Sequence, residues 1–516
     1  MKKLSAFLLS VLMILCITAC TATPPSDDAA VTTTAPVIGT TLSTQQGDAT
    51  TQPAGTASTT KAQGTTTQKP DTDSDRPVVT TKATTTAVPT VSLPDKFTGK
   101  VADYTPHSVT LTMQDGTSYG VAWNSTKQPY LPVVQVCKGT TFNESKCVEY
   151  TAQSTFYATS EKLDTPLSHY VSKAVMTNLT AGQTYTYRCY DKFAKAASQT
   201  FTFTVKNRAA SSFKFLHVSD TQTQSETNSD IKDTGIHYAN TLKGVEKNGF
   251  VPDFVLHTGD IVHASKYEGY WRDMIETNYK YFAAIPVMPI SGNHESTYLS
   301  DKHQIYKHFN LKLPDQDTSL GVYYSFDYGN VKFIMLDTNR LTNNNLTADQ
   351  YNWLENTLKT NKQKWTVISM HNPLYSVGKW GANSDINQTT LALRKQLATL
   401  FAQYKVDLVL QGHDHVYSRT YPIGKLGYVQ KDVKVETVSG IPYYTDTKGP
   451  IYVMHGTAGN EVRDVFAGDK GVYPEYDDPQ KSSWAQIEVT SNLITVKVYY
   501  YNNGSPKLWT QYGLKK

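Results

Sequence analysis

The sequence predicts an α/β domain over residues 212–505, preceded by an all-β sandwich of immunoglobulin-like type over residues 97–208. Three observations lead there. Between Phe97 and about Val205, short apolar runs are broken by turn signals every few residues, the pattern of a small sandwich. From Phe213 onward, short apolar strands alternate with helical stretches, which argues a sheet with helices on its faces. Finally, five segments rich in metal-ligating side chains each follow one of those apolar strands.

The first twenty residues stand apart from both domains. Lys2 and Lys3 form a positive start, and Leu4 to Ile17 is an apolar stretch too short to span a bilayer as a stable anchor. It closes on Ile17-Thr18-Ala19-Cys20, which resembles the lipobox of bacterial lipoproteins. The resemblance implies a signal peptide over 1–20, with Cys20 diacylated and the mature chain exported and lipid-anchored to the outer face of the cell membrane. The alternative is an ordinary secretory signal cut near Ala19. Residues 21–96 are rich in Thr, Ala, Pro, Ser, Asp and Gln. Such a segment buries too little apolar surface to offset its ordering entropy, so it is expected to be a disordered linker. It would act as a wall-crossing stalk or a plain spacer.

A net charge of +4 with scattered Lys and Arg gives no basic stripe for nucleic acid. Beyond Cys20 the folded part holds Cys137, Cys147 and Cys189. In an exported chain one disulfide is expected: Cys137–Cys147 would close a local loop, Cys137–Cys189 would join distant strands, and three free thiols are the remaining alternative. In the first domain the better strand candidates are Ser108–Met113, Ser118–Trp123, Pro132–Cys137, Tyr170–Leu179, Thr184–Asp191 and Thr200–Val205. His169 is a lone imidazole there and reads as structural. The sandwich itself would shape the cleft rim or contact cell wall or glycan.

In the second domain the strand candidates are Lys214–Val218, Phe254–Thr258, Val287–Ile290, Val331–Leu336, Thr366–Met370, Leu408–Gln411 and Ile451–His455. Thr347-Ala348-Asp349-Gln350 reads as a capping box opening a helix to about Lys359. Leu391–Tyr404 is a second helix, and Ser483–Val489 with Leu493–Tyr501 forms a closing antiparallel pair. The ligand-bearing segments are Ser219-Asp220-Thr221-Gln222, Gly259-Asp260-Ile261-Val262-His263, Gly292-Asn293-His294-Glu295, Met370-His371-Asn372-Pro373 and Gly412-His413-Asp414-His415. All lie at C-terminal strand ends, the edge where open α/β sheets build sites.

Carboxylate oxygens, an amide and several imidazoles suit first-row metals such as zinc, iron or manganese. A carboxylate can bridge two ions with its two oxygens, and a two-metal site serves in-line phosphoryl displacement. These five segments resemble the calcineurin-like metallophosphoesterases, and the chain from about Phe97 resembles the purple acid phosphatase branch. Gly120-Val121-Ala122-Trp123 and the run from Asn178 through Gly182 to Tyr185 look like that branch's N-terminal fibronectin-III-like domain. The stretches Tyr323 to Asn330, Gly412 to Arg419 and Gly449 to Asn460 continue the likeness. The resemblance implies a metallophosphoesterase β-sheet sandwich flanked by helices, with two metal ions of iron, zinc or manganese. It implies that Asp220, Asp260 and His415 bind the first metal, and that the bridging Asp260, with Asn293, His371 and His413, binds the second. His294 would protonate the leaving oxygen or stabilise its charge.

Two positions depart from the family. The branch carries a metal-binding tyrosine three residues after the bridging aspartate; here that residue is His263. The wider superfamily carries a histidine two residues after the first aspartate; here it is Gln222. Either would complete the first metal site, with His263 favoured, or both face away and water fills the shell. Without the tyrosinate, the iron-loaded protein is expected not to be purple. Arg419 and Tyr375 are the candidates for substrate binding. His217, His237, His257, His303, His308 and His455 match no ligand position. The implied activity is metal-dependent phosphomonoester hydrolysis. Alternatives are a phosphodiesterase or nucleotidase and, in another class, a surface binding protein with a degenerate site. Specificity would lie in Leu341–Leu346, Ser376–Gln388 and Tyr421–Lys448.

Overall fold

The computed structural model describes residues 93–163, 165–224, 231–296, 304–314, 322–382, 388–466, 470–477 and 480–516. The signal segment, Cys20 and the linker up to residue 92 lie outside them, as does most of the second half of the Ser376–Gln388 loop. No helix among the described residues is long and apolar enough to cross a membrane.

The N-terminal β domain has two sheets. One runs in the order His107–Met113, Tyr119–Ser125, Thr165–Met176, Gln153–Lys162; the other orders Val148–Thr151, Pro132–Lys138, Thr184–Asp191 and Ala196–Ala197, with Phe201–Thr204 also paired to Thr184–Asp191. Val109, Leu111, Tyr119, Val121 and Trp123 from the first sheet and Val134, Val136, Tyr187 and Phe203 from the second form a common core. Val148–Thr151 and Gln153–Lys162 were not among the sequence candidates. Both are largely solvent-exposed strands, so they lack the half-buried alternation that marks a strand in sequence. Cys137 and Cys147 form the disulfide, and Cys189 is free and buried.

In the α/β domain two sheets stack face to face. The eight-stranded sheet places Phe213–Val218 between Phe254–His257 and Ser483–Val489, with Val287–Pro289 outermost on the Phe254 side. The seven-stranded sheet runs Tyr324–Tyr328, Val331–Met335, Trp365–Ser369, Leu408–Gln411, Ile451–His455, Tyr417–Arg419, Glu475–Asp477. Side-chain alternation sorts each strand's residues between two cores. Phe333, Val367, Leu408, Leu410 and Val453 face the other sheet, where Phe215 meets Phe333 at 5.4 Å. Ile334, Ile368, Val409 and Tyr452 face outward against Leu354, Leu358, Leu393, Leu397 and Phe401 of the helices Ala348–Thr360 and Gln388–Gln403. Burial on both faces explains why these strands read as unbroken apolar runs. The Thr347 hydroxyl caps its helix by accepting from the Gln350 N–H at 3.3 Å. The eight-stranded sheet continues past residue 505, where the sequence reading closed the domain: Ser505–Lys515 pairs along Leu493–Asn502. Only Tyr512, Gly513 and Leu514 of that last strand are buried, which hid it.

The two domains meet over a buried polar seam. Glu268, which opens the helix Glu268–Thr277, faces two imidazoles. His169 Nε2 lies 3.8 Å from its Oε2, and His308 Nε2 lies 3.6 Å from the same oxygen. Asn124 donates to Oε1 at 2.5 Å, and Trp271 stacks on His308 at 4.1 Å. Burial pushes the Glu268 carboxyl up to about 8. Burial, helped by Lys307 and Arg272, pushes His169 down to about 4.

Candidate metal centre

Five strand ends, three from one sheet and two from the other, deliver the ligand segments to one point. Asp220 lies two residues past Val218, Asp260 three past His257, Asn293 four past Pro289, His371 two past Ser369, and His413 two past Gln411. The chain turns sharply at each. Asp220, Asp260, His413 and His415 all hold positive φ, between 52° and 82°. Non-glycine residues take that conformation rarely and at some cost, so four such residues in one cluster mark a site that the surrounding fold imposes. Gly292 has to be glycine for another reason: a Cβ there would lie 2.0 Å from Asp260 Oδ1.

Two donor groups result. Asp220, Asp260 and His415 form one; Asp260, His371 and His413 form the other, each with ligand atoms within 4.8 Å of one another. Asp260 belongs to both. Asn293 Oδ1 joins the second group, 3.0 Å from His371 Nε2 and 2.8 Å from His413 Nδ1. The outer ring nitrogens are tied to backbone carbonyls. His371 Nδ1 donates to Thr258 O at 2.8 Å, and His415 Nδ1 donates to Glu461 O. These bonds set the tautomer that turns the other nitrogen's lone pair inward. Burial alone would raise the Asp260 carboxyl, but His371, His294 and His413 outweigh it and hold it well below the usual carboxylate range. Against its own burial, Asp260 in turn holds His371 up at about 9. Buried oxygens and imidazole nitrogens facing one another in two groups that share a carboxylate fit two metal ions.

The two candidates to complete the first group are placed differently. Gln222 is fully buried there, its side-chain amide 3.2 Å from His415 Nε2; with the amide turned to satisfy its neighbours, its nitrogen donates to the carbonyls of Asp260 at 2.8 Å and Asp220 at 3.3 Å. His263 lies aside and half-buried: its Nδ1 faces Glu461 Oε1 at 3.6 Å, and its ring lies 5.2 Å from that of His294. Only Ile261 and Val262 separate His263 from Asp260, but the chain has already turned towards the helix Glu268–Thr277, where the Tyr270 ring lies 6.0 Å from that of His263.

His294 follows Asn293 and sits at the opening. Its Nδ1 donates to His263 O at 2.6 Å, its backbone N–H donates to Asp260 Oδ1 at 2.9 Å, and its Nε2 lies 3.9 Å from Asp260 Oδ2. Arg419 and Tyr375, the substrate-binding candidates, are engaged elsewhere. Arg419 donates to Tyr444 Oη at 2.7 Å and Glu475 Oε2 at 3.0 Å and stacks on Tyr512. Tyr375 packs on Tyr452 and under Arg394. His257, as a core histidine, bonds Thr221 Oγ1 at 2.9 Å, and His217 and His455 bond each other at 2.7 Å.

Four supporting residues escaped the sequence reading. The Glu295 carboxylate accepts the N–H groups of Asp260, Ile261 and Gly292 at 2.8–2.9 Å, and so ties the second ligand segment to the third. Asp414 accepts from Trp380 N at 2.9 Å and Gly381 N at 2.8 Å. Arg463 donates to His413 O at 2.8 Å, and Glu461 receives His415. Glu295 and Asp414 stood inside the ligand segments, which was the only signal; their partners come from other loops.

Comparison with known proteins agrees with this architecture. Residues 213–417 match the model of the calcineurin-like phosphoesterases, and residues 106–205 match the purple acid phosphatase N-terminal domain. The chain carries a calcineurin-like phosphoesterase domain behind a purple acid phosphatase N-terminal domain. Purple acid phosphatase 23 of Arabidopsis thaliana is 28% identical over 311 residues, 56% of this chain and 62% of that protein. An uncharacterized protein of Mycobacterium tuberculosis is 29% identical over 234 residues, 40% of this chain and 42% of its own length. The chain thus spans about half the length of these curated relatives. The purple acid phosphatase PPD1 from yellow lupin (Lupinus luteus) seeds shares the fold, with a TM-score of 0.66 at 18% identity over 80% of this chain and 74% of that one. The phosphoesterase family is hydrolytic and uses a dinuclear metal centre, although one relative, 30% identical over 36% of this chain and 32% of its own, is named a probable inactive purple acid phosphatase.

Proposed function

We propose that this chain is an exported, membrane-tethered hydrolase of phosphoric monoesters. The observation that carries this is the pair of donor groups sharing Asp260, with His294 beside them at the opening. Asp220, Gln222, Asp260 and His415 would hold one metal ion, and Asp260, Asn293, His371 and His413 the other. Bound there, the ions would neutralise charge on the phosphoryl oxygens and acidify the attacking water. The chain's own part is to place the proton donor. With Nδ1–H bonded to His263 O, the His294 ring is fixed with Nε2 turned to the centre, where it can protonate the leaving oxygen. Asp260 favours the charged imidazolium against the effect of burial.

Export and lipid anchoring rest on the leader, from Lys2 and Lys3 to Cys20. The Cys137–Cys147 disulfide supports an oxidising compartment. The test compares turnover of nitrophenyl phosphate with that of bis-nitrophenyl phosphate by protein loaded with iron, zinc or manganese. Faster monoester turnover, abolished by chelation, is expected. Preference for the diester overturns the monoester reading, and no turnover with any metal overturns the enzyme.

A further inference from the structure

The members of the metal centre are unequally exposed, and that defines its mouth. Asp220, Gln222, Asp260, His371 and His415 are buried, whereas His263, Asn293, His294 and His413 are only half-buried. On the His413 side of this mouth stands Trp380, half-buried, its ring centroid 5.9 Å from the imidazole. The ring's placement is built into the metal-binding loop. Asp414, between the two ligand histidines, accepts from the backbone of both Trp380 and Gly381. The backbone presses on Asp414 so closely that a Cβ on Gly378 would fall 2.5 Å from the Asp414 Cβ. The exposed Lys379 lies with Nζ 5.3 Å from the Trp380 ring. An indole whose backbone is held by Asp414 of the metal-binding loop, and whose ring lies beside His413, is placed to meet whatever the phosphate is attached to.

We infer that Trp380 is a specificity residue that stacks a flat aromatic leaving group, nucleoside or aryl, while the phosphate occupies the metal centre. This rests on the phosphoesterase reading and narrows it to a substrate class. Stacking on an aromatic side chain tolerates any flat ring and discriminates against leaving groups without one. Asp414 is the corresponding positioning residue.

Steady-state kinetics of metal-loaded wild type and Trp380→Ala with adenosine monophosphate, phenyl phosphate and glycerol phosphate test the inference. For the variant, KM is expected to rise about tenfold with at least one aromatic ester while glycerol phosphate changes less than about twofold. Trp380→Phe is expected to restore most of the loss. An equal effect on all three esters would make Trp380 a structural support of His413 and overturn the inference, as would no effect on any. If wild type hydrolyses none of them, the phosphoesterase reading itself fails, and this inference falls with it.

Discussion

The metal centre and the domain seam are built from the same side chains, buried imidazoles and carboxylates, yet they are opposite devices. At the centre the donors converge: two groups within 4.8 Å share Asp260, and the outer nitrogens of His371 and His415 are fixed by backbone carbonyls. At the seam, His169 and His308 flank Glu268 at 3.8 and 3.6 Å, and neither imidazole has a hydrogen-bond partner among the described residues. The charges differ too. Asp260 and Asp220 favour the protonated His371 against its burial, while burial, with Lys307 adding to it, depresses His169 and His308. Burying histidines with a carboxylate therefore does not make a site. Convergence of lone pairs does, and that takes an outer set of hydrogen bonds that costs the fold its relaxed backbone at four positions.

The largest test of this contrast is Asp260→Asn. Removing the shared anionic ligand should lower phosphatase activity by about 10³-fold, since such charge stabilisation is worth several kcal/mol, and should lower the metal content measured by elemental analysis. Unchanged activity would erase the distinction between centre and seam. Next, Gln222→Ala should weaken metal retention by roughly tenfold in a chelator competition, of the size expected for a tuned ligand environment, while His263→Ala leaves it nearly unchanged. The reverse ranking would return His263 to the first metal site.

The smallest effect belongs to the seam and reads out in pH. Glu268 is raised from 4.5 to about 8, so the folded protein keeps a proton that the unfolded chain releases. Its contribution is complete below pH 4.5 and is lost as pH rises through 8. His169 is lowered from 6.5 to about 4, so the unfolded chain takes up a proton that the folded one refuses. That contribution is lost as pH falls from 6.5 towards 4, and His308 shifts in the same direction. The thermal midpoint should therefore peak near pH 6.5 and decline on both sides by a few degrees, about what 1 kcal/mol produces in a domain of this size. Glu268→Gln should flatten the alkaline limb and steepen the rise between pH 4.5 and 6.5, where Glu268 opposes the histidines. An unchanged alkaline limb would mean that Glu268 is not the group titrating there.

Much of the α/β domain was legible because its strands are buried on both faces: Leu408–Gln411 and Ile451–His455 were readable to the residue. Gln153–Lys162 and Ser505–Lys515 were not, because strands with few or no fully buried residues carry no apolar run. Tyr375 and Arg419 illustrate the same limit within a site. Both lie close in sequence to metal-ligating residues, yet each side chain is taken by partners from distant segments, Tyr452 and Arg394 for one, Tyr444, Glu475 and Tyr512 for the other.

By itself, the sequence determined which atoms could bind: the two aspartates, the asparagine and the histidines of five segments placed at strand ends, where a stacked pair of sheets brings them to one point. It also determined that His263 and Gln222 stand where the family has other residues. Only the tertiary structure placed the two differently, Gln222 buried beside His415 and His263 aside facing Glu461, because placement depends on which way the chain turns after a strained Asp260. Only it revealed Glu295, Asp414 and Trp380, whose roles are set by hydrogen bonds and contacts between loops far apart in sequence. A ligand's identity is local chemistry, but its orientation is fixed by everything that packs around it.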